Sequence, residues 1–86
     1  MPEISRFYGI VVQMYYGDHL PPHFHARYAG HAVKIEIDTL AVIEGSLPAR
    51  ALGLVIEWAA LHQDELRTAF ANAANMERPG KIEPLA

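Results

Sequence analysis

Two alternating segments separated by only two residues constrain the fold of this chain more than any other feature. The segments His23–Tyr28 and His31–Asp38 each alternate apolar and polar side chains, and Ala29-Gly30 lies between them. Alternation with a period of two predicts β-strands, and a two-residue connection that contains glycine predicts a tight hairpin. We therefore expect the first half of the chain to form an antiparallel sheet.

The side chains of this hairpin also predict its register. A two-residue turn places Tyr28 opposite His31 and His23 opposite Glu36, so that most apolar side chains gather on one face. A slip by one residue would mix apolar and charged side chains on both faces, which the burial of one face forbids. The polar face then holds His23, His25, Arg27, Lys34 and Glu36, and we predict that it faces solvent.

Two further segments complete the predicted sheet. Tyr8–Tyr16 is rich in β-branched and aromatic residues and ends at the turn signal Gly17-Asp18. Leu40–Glu44 is a shorter apolar segment and predicts a fourth strand.

The pattern changes to a helical period after Gly45. Apolar residues then recur at spacings of three, four and seven, which predicts a helix over about 47–76. We predict one α+β domain over residues 1–86: an antiparallel sheet of three to four strands over about 8–44 packs against one long C-terminal helix. An extended tail over 77–86 follows.

The predicted helix favours a contact with another protein. Its first half leaves little polar surface, so that a second face must be covered. At about 1.5 Å per residue it would extend about 42 Å, beyond strands of about 27 Å. These features favour a homodimer or a small partner protein, whereas a break near Gln63-Asp64 would let the second piece fold back onto the domain. The candidate interface residues are Leu54, Trp58, Leu61 and Phe70.

Composition excludes several classes of function. The chain has no cysteine, which excludes disulfides, thiolate nucleophiles and thiolate zinc sites. Its net charge of −3 disfavours nucleic acid as a partner. No apolar run approaches the roughly 20 residues that cross a bilayer, and the N-terminus has no apolar leader, so we expect a cytoplasmic protein without membrane contact. We find neither a phosphate-binding glycine loop nor a serine nucleophile motif.

The histidines of the hairpin predict a metal site. Residues two apart on a strand point the same way, so His23 and His25 can reach one ion from one face. Glu36 opposite His23 offers a carboxylate, and His19 or Asp18 offers a ligand from the preceding loop. Three protein ligands with an open position are how catalytic zinc is held. The only cofactor indicated is therefore zinc or another divalent metal.

The same residues allow two other interpretations, so that the sequence leaves open whether the chain is an enzyme. Histidines that titrate near neutrality, with Arg27 and Lys34 as anion contacts, can cleave RNA by general acid–base catalysis. Alternatively the histidines are structural, with His23 and His25 pairing with Glu36 and water.

Three motifs together resemble a known family. They are "PPHFH" at Pro21–His25, "EWA" at Glu57–Ala59 and "KIEPL" at Lys81–Leu85. The combination is similar to small bacterial proteins of the DUF4160 family, a domain of unknown function. The resemblance implies a compact α+β protein, often encoded beside a second small protein in a toxin–antitoxin-like arrangement, and implies no particular activity. The leading hypothesis is therefore a protein-interaction module, and the alternative is the histidine site.

Overall fold

The chain folds into a five-stranded antiparallel sheet followed by two helices. The computed structural model describes residues 2–86, and the strands pair in sequence order. The elements are β1 (Glu3–Phe7), β2 (Ile10–Gln13), β3 (His23–Tyr28), β4 (His31–Glu36), β5 (Val42–Gly45), α1 (Ala49–Leu61) and α2 (Gln63–Ala74). The predicted α+β class is confirmed. Within residues 2–86 no helix has the length and apolar character needed to cross a membrane.

The predicted hairpin register of β3 and β4 is confirmed. Tyr28 lies opposite His31, and His23 lies opposite Glu36. Ala29 and Gly30 have φ values of 48° and 83°, which is the left-handed conformation that a two-residue type I′ turn requires. The apolar face of the hairpin is buried in the core through Phe24, Ala26, Val33 and Ile35.

The predicted strand over Tyr8–Tyr16 is corrected by the structure. Tyr8 and Gly9 form a turn with φ values of 50° and 80°, so that only β2 lies within the predicted segment, and this turn joins it to the unpredicted strand β1. β1 was not predicted because its sequence does not alternate strictly between buried and exposed residues. Its pairing with β2 shifts register between Glu3 and Ser5, so that the adjacent residues Ile4 and Ser5 are both buried. The sheet therefore has five strands and not three to four.

The single long helix predicted over about 47–76 is wrong, and the alternative of a break is confirmed. His62, with φ of −129° and ψ of 25°, separates α1 from α2. The longest dimension of the molecule is 33 Å, which is shorter than the roughly 42 Å that an unbroken helix would need. Both helices contribute buried residues to one core, namely Ala51, Val55, Trp58 and Ala59 from α1 and Leu66, Ala69, Phe70 and Ala73 from α2.

Two of the four predicted interface residues lie inside this core. Trp58 is fully buried, and its ring centroid lies 5.4 Å from that of Phe7 and 5.9 Å from that of Phe24. Phe70 is also buried. Because α2 folds against the domain, these side chains are covered by the chain itself, and only Leu54 and Leu61 keep exposed surface.

The C-terminal segment is irregular and docks beside β1. The backbone N–H of Ile82 donates to the carbonyl of Ile4 over 2.8 Å. The indole N–H of Trp58 donates to the carbonyl of Glu83 over 2.8 Å. The buried side chain of Ile82 joins the hydrophobic core, so the predicted extended tail is an integral part of the fold.

Candidate metal centre

The connection between β2 and β3 brings a carboxylate to the histidine face of the sheet. This connection ends in Pro21 and Pro22, whose nitrogens carry no hydrogen, so that strand pairing begins only at His23. The N–H of Gly17 donates to the carbonyl of Ala73 in α2 over 3.0 Å, which fixes the middle of the connection. Asp18 follows directly and extends its carboxylate toward β3.

Asp18, His23 and His25 form a compact cluster. Oδ2 of Asp18 lies 2.8 Å from Nε2 of His23 and 3.1 Å from Nε2 of His25. One ligand atom from each of the three side chains lies within 4.8 Å of the other two. His23 is 3 % exposed, whereas Asp18 and His25 are 16 % and 17 % exposed. The cluster is therefore shielded on the His23 side and accessible on the other.

The imidazole of His23 is oriented by a backbone carbonyl. Its Nδ1 lies 2.7 Å from the oxygen of Pro21. Because a carbonyl oxygen only accepts hydrogen bonds, Nδ1 carries a proton, and Nε2 is the nitrogen that faces the cluster. Metal-binding histidines are commonly held in this way, with one nitrogen bonded to a carbonyl and the other directed at the ion.

Electrostatics favour an ionised Asp18 and a neutral His25. Burial alone would raise the pKa of Asp18, but hydrogen bonds from His25 and from the backbone N–H of His19, together with His23, lower that pKa to about 2. Burial is the largest effect on His25 and lowers its pKa below the ordinary value, although Asp18 opposes this. Both shifts favour the protonation states in which a carboxylate and an imidazole bind metal.

Two aromatic rings enclose the cluster. Tyr15 stacks on His25 with a centroid distance of 4.1 Å and an interplanar angle of 8°. The ring of Phe70, from α2, lies 5.7 Å from that of His23. These contacts restrict both imidazoles before any ion binds, which lowers the entropic cost of forming a site.

The prediction that His23 faces solvent is wrong. The connection from β2 and the ring of Phe70 cover this end of β3, so that His23 is buried although it lies on the polar face. The alternation of a strand predicts which face of the sheet a side chain occupies, but it does not predict whether another segment of the chain covers that face. His25, two residues further along β3, remains partly exposed.

The other predicted site residues take no part in the cluster. His19 contributes only its backbone N–H to Asp18, and its side chain is exposed. Glu36 lies opposite His23 in the register, but Asp18 supplies the carboxylate. Arg27 is exposed, and Nζ of Lys34 lies 3.9 Å from a carboxylate oxygen of Glu44.

The stacking of Tyr15 on His25 was not predicted from the sequence. Tyr15 follows β2 by two positions, on the same side of the chain as Gln13, which lies opposite His25. If the alternation of β2 is continued past its end, Tyr15 lies on the face of the histidines, as a diagonal neighbour of His25.

Comparison with known proteins identifies a family. The family model described as "Domain of unknown function (DUF4160)" matches residues 9–71. This matched region includes all three residues of the cluster. No curated protein and no solved structure matches the chain.

Proposed function

We propose that this chain, which belongs to the DUF4160 family, binds a divalent transition-metal ion through Asp18, His23 and His25. The observation that carries the proposal is the convergence of both Nε2 atoms on one carboxylate oxygen, at 2.8 and 3.1 Å. A carboxylate shared by two imidazoles places one oxygen and two nitrogen ligands around a common point.

The spacing of the ligand atoms supports this proposal. Zinc bonds to histidine nitrogen and to carboxylate oxygen are about 2.0 to 2.2 Å long, so tetrahedral ligands lie roughly 3.3 Å apart. The two nitrogen–oxygen distances are a few tenths of an ångström shorter. A small outward movement of Asp18, which comes from a loop and not from a strand, would open the cluster to the size of the ion.

The donor set indicates which ions fit. Two imidazoles and one carboxylate suit zinc, and the same set with open positions also suits Fe(II). Three protein ligands leave at least one position for water or for an oxygen of a substrate. The partial exposure of Asp18 and His25 provides access to that position.

Zinc titration of tag-free protein tests the proposal. We expect one Zn²⁺ per chain in competition with a chromophoric chelator, and Co²⁺ loading should give the visible absorption of a low-coordinate site. His25→Ala removes a partly exposed ligand and should weaken binding at least 100-fold. The exposed histidine His31 offers a matched control, since His31→Ala leaves the cluster intact. Wild-type protein that fails to take up stoichiometric Zn²⁺ or Co²⁺ would refute a metal site.

The second candidate function is self-association through β5, which retains the hypothesis of an interaction module. All four residues of this edge strand are exposed, and Val42 and Ile43 are 43 % and 44 % exposed. Unpaired edge strands are templates for pairing with another chain. The opposite edge, β1, is partly covered because Ile82 hydrogen-bonds to Ile4. A second copy is the proposed occupant, because antiparallel pairing about a two-fold axis can place Val42 and Ile43 of one copy against the same two residues of the other.

Light scattering across a range of concentrations tests this second candidate. We expect a dimer that Ile43→Lys dissociates, whereas Leu61→Lys, a change at an exposed leucine on α1, leaves it intact. A wild-type protein that stays monomeric at high concentration would contradict self-association. The small partner protein of a toxin–antitoxin-like pair remains a prediction from the family resemblance, and binding of such a partner to β5 would likewise be lost in Ile43→Lys.

A further inference from the structure

A buried amide oxygen without a hydrogen-bond partner lies beside the proposed metal centre. Oε1 of Gln13 is inaccessible to solvent and has no partner among the described residues. Buried polar atoms in folded proteins are nearly always hydrogen-bonded, so an unpartnered acceptor calls for a donor. Gln13 lies directly opposite His25 in the pairing of β2 with β3, and opposed side chains of an antiparallel pair are close neighbours on one face.

The imidazole of His25 has a matching free position. Its Nε2 faces Asp18, while its Nδ1 has no hydrogen-bond partner within residues 2–86. The ring is held by stacking on Tyr15, which follows Gln13 by two residues. Tyr15 and Gln13 belong to the same chain segment, which neighbours β3 on the β2 side.

We propose that Gln13 is a positioning residue of the metal centre, which accepts a hydrogen bond from Nδ1 of His25 when Nε2 binds the ion. This inference rests on the proposed function. An imidazole that offers the lone pair of Nε2 to a metal keeps its one proton on Nδ1. That proton needs an acceptor, and the oxygen of Gln13 needs a donor.

The arrangement at His25 would then repeat the one at His23. Nδ1 of His23 already bonds to the carbonyl of Pro21, and Gln13 would supply an equivalent neutral oxygen to His25. Such partners fix the ring orientation and the tautomer of metal-binding histidines, and their loss typically costs about 10- to 100-fold in metal affinity. Neutral partners on both rings leave Asp18 as the one anionic group of the cluster.

The other unpartnered buried oxygen provides a matched control. Oγ of Ser5 is also buried without a partner. Ser5 lies opposite Val12, a core residue, and therefore belongs to the other face of the sheet. Removing this oxygen tests whether any unsatisfied buried acceptor affects the site, or only the one beside His25.

Zinc affinity and the tautomer of His25 test the inference together. With Zn²⁺ as the probe, we expect Gln13→Leu to weaken binding about 10- to 100-fold, Gln13→Glu to bind at least as tightly as wild type, and Ser5→Ala to leave the affinity unchanged. Long-range ¹H–¹⁵N correlation spectra of the zinc-loaded wild type should show His25 protonated at Nδ1. Comparison of circular dichroism spectra verifies that each variant is folded.

The outcomes separate the inference from the proposed function. If wild-type protein takes up no Zn²⁺, both are overturned. If wild-type protein binds Zn²⁺ while the zinc-loaded spectrum shows no proton on Nδ1 of His25, the role of Gln13 alone is overturned. The role of Gln13 is also overturned if Gln13→Leu binds Zn²⁺ as tightly as wild type, or if Gln13→Glu binds it more weakly. If Gln13→Leu fails to fold, the spectrum of the zinc-loaded wild type still tests the inference.

Discussion

Asp18 and His25 link the stability of the metal-free fold to pH. The pKa of Asp18 is lowered from 3.8 to about 2, so its contribution to stability is complete above about pH 4 and is lost as the pH falls toward 2. The pKa of His25 is lowered below 6.5, so its contribution is complete above that pH and is lost as the histidine becomes protonated below it. Both groups therefore make the fold less stable in acid.

We predict two acid-dependent losses in the free energy of unfolding, measured by urea denaturation in the presence of a chelator. The first follows the titration of His25 below pH 6.5, and the second lies between pH 4 and pH 2. Asp18→Asn should reduce the second loss by about 1 to 2 kcal/mol, because it removes the shifted carboxylate. An Asp18→Asn protein with the same pH profile as wild type would contradict this assignment.

At the scale of single residues, the sequence predicted the histidine pair but not the whole ligand set. The spacing of His23 and His25 places both on one face because strand side chains alternate. The choice of carboxylate depended on the path of the connection between β2 and β3, which no periodicity describes. The sequence offers Asp18 only as an alternative to His19, beside Glu36, whose position follows from the register.

At the scale of elements, the end of β5 depends on a glycine that approaches the neighbouring strand. A Cβ atom on Gly45 would lie 2.2 Å from the carbonyl oxygen of Ala32, and the φ of Gly45 is +78°. The same carbonyl accepts the N–H of Ser46 over 3.0 Å. The backbone of β4 and the start of the connection to α1 are thus in direct contact at this glycine.

We predict that Gly45→Ala destabilises the fold by about 3 kcal/mol, because it combines an unfavourable φ with a backbone collision. Gly53→Ala is the matched control. Gly53 lies within α1 with no atom within 4 Å of an added Cβ, so the change should stabilise by about 0.5 to 1 kcal/mol. Thermal and urea denaturation measure both, and equal effects at the two glycines would contradict the packing described for β5.

The break between α1 and α2 shows why the bounds of the helices and strands were predicted less well than the α+β fold class. Residues 61–64 contain neither proline nor glycine, and the helical period continues through them. The break is stabilised by contacts between distant segments: the side-chain amide of Gln63 donates to the carbonyl of Ile37 over 2.9 Å. Periodicity describes one segment at a time and cannot register such contacts.

At the scale of the whole molecule, the core and the proposed metal centre lie on different faces of one sheet and meet at Phe70, a core residue whose ring lies 5.7 Å from that of His23. The core lies between the helices and the face that carries Phe24 and Ile35, and the C-terminal segment closes it through Ile82. The cluster lies on the other face, beneath the connection that carries Asp18. Ile82 bonds to Ile4 and shares no hydrogen-bond partner with the cluster.

This separation predicts that zinc binding and core packing stabilise the fold additively. Zn²⁺ at a free concentration of about 100 times its dissociation constant should add about 2.7 kcal/mol to the free energy of unfolding. Ile82→Ala should remove about 2 to 4 kcal/mol with or without zinc, because it deletes a buried side chain whose segment shares no hydrogen bond with the ligands. The increment from zinc should therefore be equal in wild type and in Ile82→Ala, and should fall to about 0.4 kcal/mol or less in His25→Ala, whose affinity is at least 100-fold weaker. Urea denaturation of the three proteins with and without Zn²⁺ measures these increments, and a full zinc increment retained in His25→Ala would show that the ion binds elsewhere.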